Sequence, residues 1–120
     1  MDFRIIQLEQ EIAQNLKFNW NIEKMAEIAE VSPTHFIKLF KETTSETPIQ
    51  FLRRLRLEKA KNLLEVKNSR ISEIIHEVGI KDQSHFVRDF KKAFGETPTE
   101  YRQSHWDRIR EEKAKAQKNG

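Results

Sequence analysis

The side chains of this sequence whose types and spacing can do chemistry fall into two sets. Thr34, Ile37, Lys38 and Lys41 stand at i, i+3, i+4 and i+7, and Ser84, Val87, Arg88 and Lys91 repeat that spacing with Gln83 beside them. On helices, each set occupies one face. The chemistry they offer is recognition rather than bond making. Gln83 can pair bidentately with adenine and Arg88 with guanine, while Ile37 or Val87 can rest on a thymine methyl. Thr34 and Ser84 add hydroxyls, and Lys38 can reach either guanine or phosphate. An exposed Ile37 and Val87 are otherwise hard to justify on the outside of a helix. On the residues alone, Gln83, Arg88, Ile37 and Val87 are candidate base contacts, and Lys38 is open between base and phosphate. The cations Lys41, Arg53, Arg54, Lys91 and Lys92 form a candidate phosphate-contacting group, which sets register and affinity without carrying sequence information.

The elements that must position these faces are duplicated. His35-Phe36-Ile37-Lys38-Leu39-Phe40-Lys41 recurs as His85-Phe86-Val87-Arg88-Asp89-Phe90-Lys91, and Glu46-Thr47-Pro48 as Glu96-Thr97-Pro98, both at an offset of 50. Upstream, Ile22, Met25, Ala26, Ala29 and Val31 correspond to Ile71, Ile74, Ile75, Val78 and Ile80 at an offset of 49, so one residue enters the second copy between Ile80 and Phe86. Two copies are too few for a solenoid, and a duplicated unit with a duplicated task follows.

Each unit reads as helix, tight turn, helix. Asn21 caps a helix with Ile22, Met25, Ala26 and Ala29 inside, a turn covers Glu30 to Ser32, and Ser32-Pro33 opens the next helix. The inner stripe of that helix is Phe36, Leu39, Phe40 and Thr43. In the second unit Asp82 is the cap and Phe86, Phe90, Ala93 and Phe94 point inward. Ile5, Leu8, Ile12 and Leu16 predict a covering helix over residues 3 to 16. Thr47-Pro48 opens a long helix to about Val66, with Leu52, Leu55, Leu63 and Leu64 as its ridge and Arg53, Arg54, Arg56, Lys59 and Lys61 beside it. Such a rod is about 27 Å long, close to the spacing of successive major grooves. Thr97-Pro98 opens a final helix with Tyr101. Beyond Trp106 the composition predicts a charged extension, ordered near Trp106 and disordered at its end.

Composition bounds the rest. In 120 residues, 37% are apolar, 34% are charged, three are glycine, three are proline and none is cysteine. An all-α chain follows, without disulfides, thiolate nucleophiles or cysteine zinc sites. No run approaches the roughly 20 apolar residues of a membrane span, and the N-terminus has no signal-peptide pattern. A soluble, cytoplasmic protein is expected. The net charge of +3 is uneven: −3 over residues 1–32, +4 over 33–67, zero over 68–102 and +2 over 103–120. The surplus on the middle segment suits a polyanion.

An enzyme is the first rival. His35, His76, His85 and His105 are its only candidate bases or ligands, His76-Glu77 is followed by Ile80 where a zincin needs its second histidine, and no glycine-rich phosphate loop is present. Catalysis, cofactors and a metal are not expected. The second rival is a protein-interaction module using the basic helix or the tail to bind an acidic partner.

Val31-Ser32-Pro33 with Phe36 and Phe40, Arg56-Leu57 with Ala60, Leu63 and Leu64, and above all the stretch from Ile71 to Arg102 carry a family likeness. In that stretch the signature residues are Ile71-Ser72-Glu73-Ile74, Val78-Gly79-Ile80, Asp82-Gln83-Ser84, Phe86, Phe90-Lys91, Phe94-Gly95, Thr97-Pro98 and Tyr101-Arg102. Over about residues 5 to 102 the chain resembles the DNA-binding domain of AraC/XylS transcription regulators. The resemblance implies about seven helices: a first helix-turn-helix subdomain (1–47), a linker helix (48–66), a second subdomain (67–104) and a charged tail (105–120). It also implies binding to double-stranded DNA, activation as the expected sign of regulation, and contact with RNA polymerase. By position in the motif, the base-reading residues it implies are Thr34, Ile37 and Lys38 in the first unit and Gln83, Ser84, Val87 and Arg88 in the second. Two departures stand out: Glu30 and Ser45 occupy turn positions where the family usually has glycine, whereas Gly79 and Gly95 keep it, and a missing glycine at positive φ costs about 1 kcal/mol. The differing outer faces imply a monomer on an asymmetric site of two half-sites. A first helix starting almost at Met1 resembles a trimmed domain edge, so a fragment of a longer regulator, able to dimerise through a further domain, is favoured over a stand-alone one.

Overall fold

The computed structural model describes residues 2–119, whose regular elements are all helices: α1 (Phe3–Gln14), α2 (Ile22–Ala29), α3 (Pro33–Thr44), α4 (Pro48–Val66), α5 (Ile71–Glu77), α6 (Gln83–Phe94) and α7 (Pro98–Asn119). Their starts follow from local side-chain chemistry. Asn21, Ser32 and Asp82 accept the backbone N–H groups of Lys24, His35 and His85 at 2.7, 3.3 and 3.0 Å, which satisfies donors that have no partner inside the helix. Thr47 with Gln50 and Thr97 with Glu100 form reciprocal capping boxes at the starts of α4 and α7.

The chain divides into two compact units between Arg56 and Leu57, inside α4. The first unit packs Ile5, Leu8 and Ile12 of α1, Met25, Ala26 and Ala29 at α2, Phe36 and Phe40 of α3, and Phe51 and Leu52 of α4 around one core. Trp20 joins them from the segment before α2, donating its indole N–H to the Asn15 carbonyl at 2.8 Å. The second unit packs Leu57, Ala60, Leu63 and Leu64 of α4, Ile74, Ile75 and Val78, Phe86 and Phe90 of α6, and Tyr101 of α7. Complete burial of each large apolar side chain contributes about 1.5–3 kcal/mol. The five positions matched at an offset of 49 have the same burial in both copies: Ile22 and Ile71 are half-buried, the next three pairs buried, and Val31 and Ile80 half-buried again.

The duplication extends to backbone conformation. After α2, Glu30 sits at φ +60 and donates to the Glu27 carbonyl while Val31 donates to Ala26, both at 3.1 Å; after α5, Gly79 at φ +83 donates to His76 and Ile80 to Ile75, again at 3.1 Å. This is the Schellman closure of a helix end, made twice. The turn then runs Glu30 to Ser32 in the first unit but Gly79 to Asp82 in the second, and the added residue is accommodated there. α3 and α6 end alike, with Ser45 at φ +69 and Gly95 at φ +82, each donating to the lysine four residues earlier at 2.8 Å.

Three expectations need correction. α1 stops at Gln14, and Leu16 packs against the core from outside the helix. Ala93 is exposed, because Phe94 alone fills that end of the α6 stripe and closes 4.7 Å from the Phe90 ring. α7 stays helical through Asn119 rather than losing order beyond Trp106; residues 99–119 contain neither glycine nor proline and are rich in strong helix formers. Met1 and Gly120, at the ends of the outer segments, lie outside the described residues.

Candidate nucleic-acid interface

Aromatic contacts orient α3 and α6. Phe36 and Phe40, one helical turn apart, place their ring centroids 5.7 Å from each other, and Phe40 meets Phe51 of α4 edge-on at 5.4 Å. In the second unit Phe86 and Phe90 are 5.8 Å apart, and Phe90 meets Tyr101 of α7 at 5.8 Å. With those rings buried, the opposite faces of α3 and α6 turn outward by helical geometry.

Thr34, Ile37, Lys38 and Lys41 on α3 are all exposed, Ile37 by 41% of its surface. On α6, Gln83, Ser84, Arg88, Lys91 and Lys92 are exposed. Val87 differs from expectation: it is half-buried and packs against the second core, leaving only part of its side chain for a ligand. Arg53 and Arg54 are exposed on α4; Arg54 places Nε 2.9 Å from Glu46 Oε1 and Nη2 at the same distance. Its guanidinium also lies over the Phe51 ring at 5.5 Å.

Two arginines have structural tasks that residue type alone does not announce. Arg56 Nε and Nη2 donate to the Leu16 carbonyl at 3.1 and 2.8 Å, and Nη2 also to that of Phe18 at 2.9 Å; burial lowers its pKa. Arg102 Nη2 donates to the Ser69 carbonyl at 2.6 Å, while its Nε is buried without a hydrogen-bond partner. Each arginine thus holds the segment leading into α2 or α5. The acceptors lie 40, 38 and 33 residues away, so no local pattern could have found them. Beside Arg102, the Tyr101 hydroxyl donates to the Glu65 carboxylate, and Lys61 places its ammonium 4.9 Å from the Phe94 ring and 5.6 Å from that of Tyr101. Burial and then the Glu65 hydrogen bond push the Tyr101 pKa up to about 12.

His35, His76 and His85 are exposed, and His105 stacks on Tyr101 at 6.3 Å. Among the described residues, no set of three or more histidines and carboxylates is arranged to hold a metal, and no helix is long and apolar enough to cross a membrane.

Two helix-turn-helix units, each exposing a polar, cationic and aliphatic helix face, define a DNA-binding class of protein rather than an enzyme. The family described as a helix-turn-helix domain matches residues 25–104. The chain belongs to it, as an AraC/XylS-type DNA-binding domain of transcription regulators. It is 34% identical over 93 residues to an HTH-type transcriptional regulator of Haemophilus influenzae, an alignment covering 78% of this chain and 31% of that protein. The C-terminal domain of AraT, a response regulator from Geobacillus stearothermophilus, superimposes with a TM-score of 0.80 at 31% identity, covering 86% of each chain. The DNA-binding domain of AdpA, a global transcriptional factor solved in complex with a target DNA, shares the fold with a TM-score of 0.85 at 22% identity, covering 89% of this chain and 96% of that one. The chain spans about a third of the length of the Haemophilus relative.

Proposed function

We propose that this chain recognises an asymmetric duplex site, with α3 and α6 entering successive major grooves and reading two different half-sites. One observation carries the proposal: two scaffolds that match in caps, turns and buried rings expose outer faces in the same register but with different residues. Thr34, Ile37 and Lys38 read one half-site, and Gln83, Ser84, Val87 and Arg88 the other. Lys41, Arg53, Lys91 and Lys92 supply phosphate contacts. In this reading residues 1–47 and 67–104 are the reading subdomains, 48–66 connects them, and 105–120 is a charged extension. The chain binds as a monomer in the cytoplasm and activates transcription through contact with RNA polymerase. Support for activation comes from a Bacillus subtilis relative named as the HTH-type transcriptional activator Btr, 32% identical over 62 residues.

Selection of bound duplexes from a random pool tests the proposal. Two blocks of preferred sequence about one helical turn apart are expected. Arg88→Ala should cost about 1–3 kcal/mol and relax one base pair in one block, whereas Lys91→Ala should weaken all duplexes alike and shallow the salt slope by about 1. Equal loss of specific and non-specific binding in Arg88→Ala would remove that residue from the base-reading set. A chain that ignores duplex at every salt concentration and binds an acidic protein instead would replace the proposal with an interaction module.

A further inference from the structure

We infer that Arg54 is a positioning residue for base reading by the first unit: held on Glu46, it fixes the turn by which α3 leaves the groove-facing orientation, and Ser104 held on Glu96 does the same for α6. The inference rests on the DNA reading above and narrows which cations serve it.

The two contacts occupy equivalent places. Arg54 Nε donates to Glu46 Oε1 and Oε2 at 2.9 and 3.2 Å, and Ser104 Oγ donates to Glu96 Oε1 at 2.8 Å. Glu46 and Glu96, like Arg54 and Ser104, stand 50 residues apart, so both tethers carry the duplication's own offset. Each ties the residue just after a left-handed turn to the second or third turn of the following helix. A cation makes the tether in one unit and a neutral hydroxyl in the other. What the two units share is therefore the link and not the charge.

The ionic tether stands where the turn is less favourable. Ser45 carries a side chain at φ +69, whereas Gly95 holds φ +82 without a Cβ, and a left-handed conformation costs an L-residue about 1–2 kcal/mol. In the first unit the next residue is pinned several times. Glu46 N–H donates to Thr44 Oγ1 at 3.2 Å, and the single Thr44 hydroxyl proton has the carbonyls of Phe40 and Glu46 within reach of Oγ1, at 2.9 and 3.0 Å, as alternative acceptors. The Arg54 fork then holds its carboxylate.

The same surroundings make Arg54 a poor phosphate ligand. Burial raises the pKa of Glu9 on α1, Arg54 opposes that rise and Glu46 adds to it, so two carboxylates lie within electrostatic range of one guanidinium. A phosphate arriving there must displace a carboxylate that already occupies the guanidinium fork.

The test compares Arg54→Gln, Glu46→Gln and Ser104→Ala by selected-site preference and by salt slope, with the half-sites assigned by Ile37→Ala and Arg88→Ala. Thermal melts followed by circular dichroism establish that each variant is folded. Arg54→Gln and Glu46→Gln should both lower discrimination about two- to fivefold in the first half-site, the range of an exposed ion pair, and leave the second half-site and the salt slope unchanged. Ser104→Ala should do the reverse. A salt slope shallower by about 1 in Arg54→Gln, or tighter binding of all duplexes by Glu46→Gln, would make Arg54 a phosphate contact and overturn the inference while leaving the DNA reading intact. Unchanged discrimination in both variants would also overturn it. Failure of the unaltered chain to bind any duplex would remove the DNA reading itself and this inference with it.

Discussion

Glu30 and Ser45 show what a single position costs and where that cost falls. Both carry side chains at positive φ in turns that Gly79 and Gly95 make without that penalty. Ser45→Gly should therefore raise unfolding stability by about 1 kcal/mol, and Gly95→Ala should lower it by a similar amount, as read from urea midpoints. At Gly95 an added Cβ meets nothing within 4 Å, so the loss measures backbone conformation alone; a larger loss would mean that the turn rearranges. Tyr101 makes a pH-dependent contribution. Its pKa rises from 10.0 to about 12 on folding, so the native state holds the phenol proton more tightly than the unfolded chain does. The associated stability is fully present below pH 10 and lost as pH climbs through 12. Urea titrations at pH 9 and 11.5 should show a smaller loss for Tyr101→Phe than for the unaltered protein.

At the scale of elements, helix starts were legible because their causes are local. Asn21, Ser32, Asp82, Thr47 and Thr97 cap as their side chains allow, and the phenylalanine stripes point inward as their spacing requires. Errors arose where a neighbouring element decides. Val87 has the register of an outer residue yet half-buries itself against the second core, and Ala93 has the register of an inner residue yet stays exposed. A stripe on a helical wheel has no sharp edge until the facing element supplies one. The distal half of α7 illustrates the opposite case: residues 110–118 are exposed throughout, and helix propensity carries the helix there without core packing. Ending the chain after Ile109 should therefore change unfolding stability by less than about 0.5 kcal/mol. A larger decrease in the melting midpoint would reveal packing by that segment.

Among the described residues, α4 supplies both cores, Phe51 and Leu52 to the first and Leu57, Ala60, Leu63 and Leu64 to the second. Lys59→Pro removes a helix hydrogen bond and clashes with the preceding turn, costing about 3 kcal/mol. If α4 couples two reading units, affinity for a bipartite duplex should fall toward that for a single half-site, as measured by titration against duplexes carrying one or both blocks; retention of full affinity would mean that coupling does not run through the helix. The sequence by itself determined the duplication and the class, because both are matches of residue pattern along the chain that need no folding to be read. It determined the caps and outward registers because those follow from side chains within one or two helical turns of one another. Only the tertiary structure decided that Arg56 and Arg102 hold distant carbonyls and that Arg54 serves Glu46. The same guanidinium can face a phosphate, a carboxylate or a backbone oxygen, and which it meets depends on groups that only chain folding brings within 3 Å.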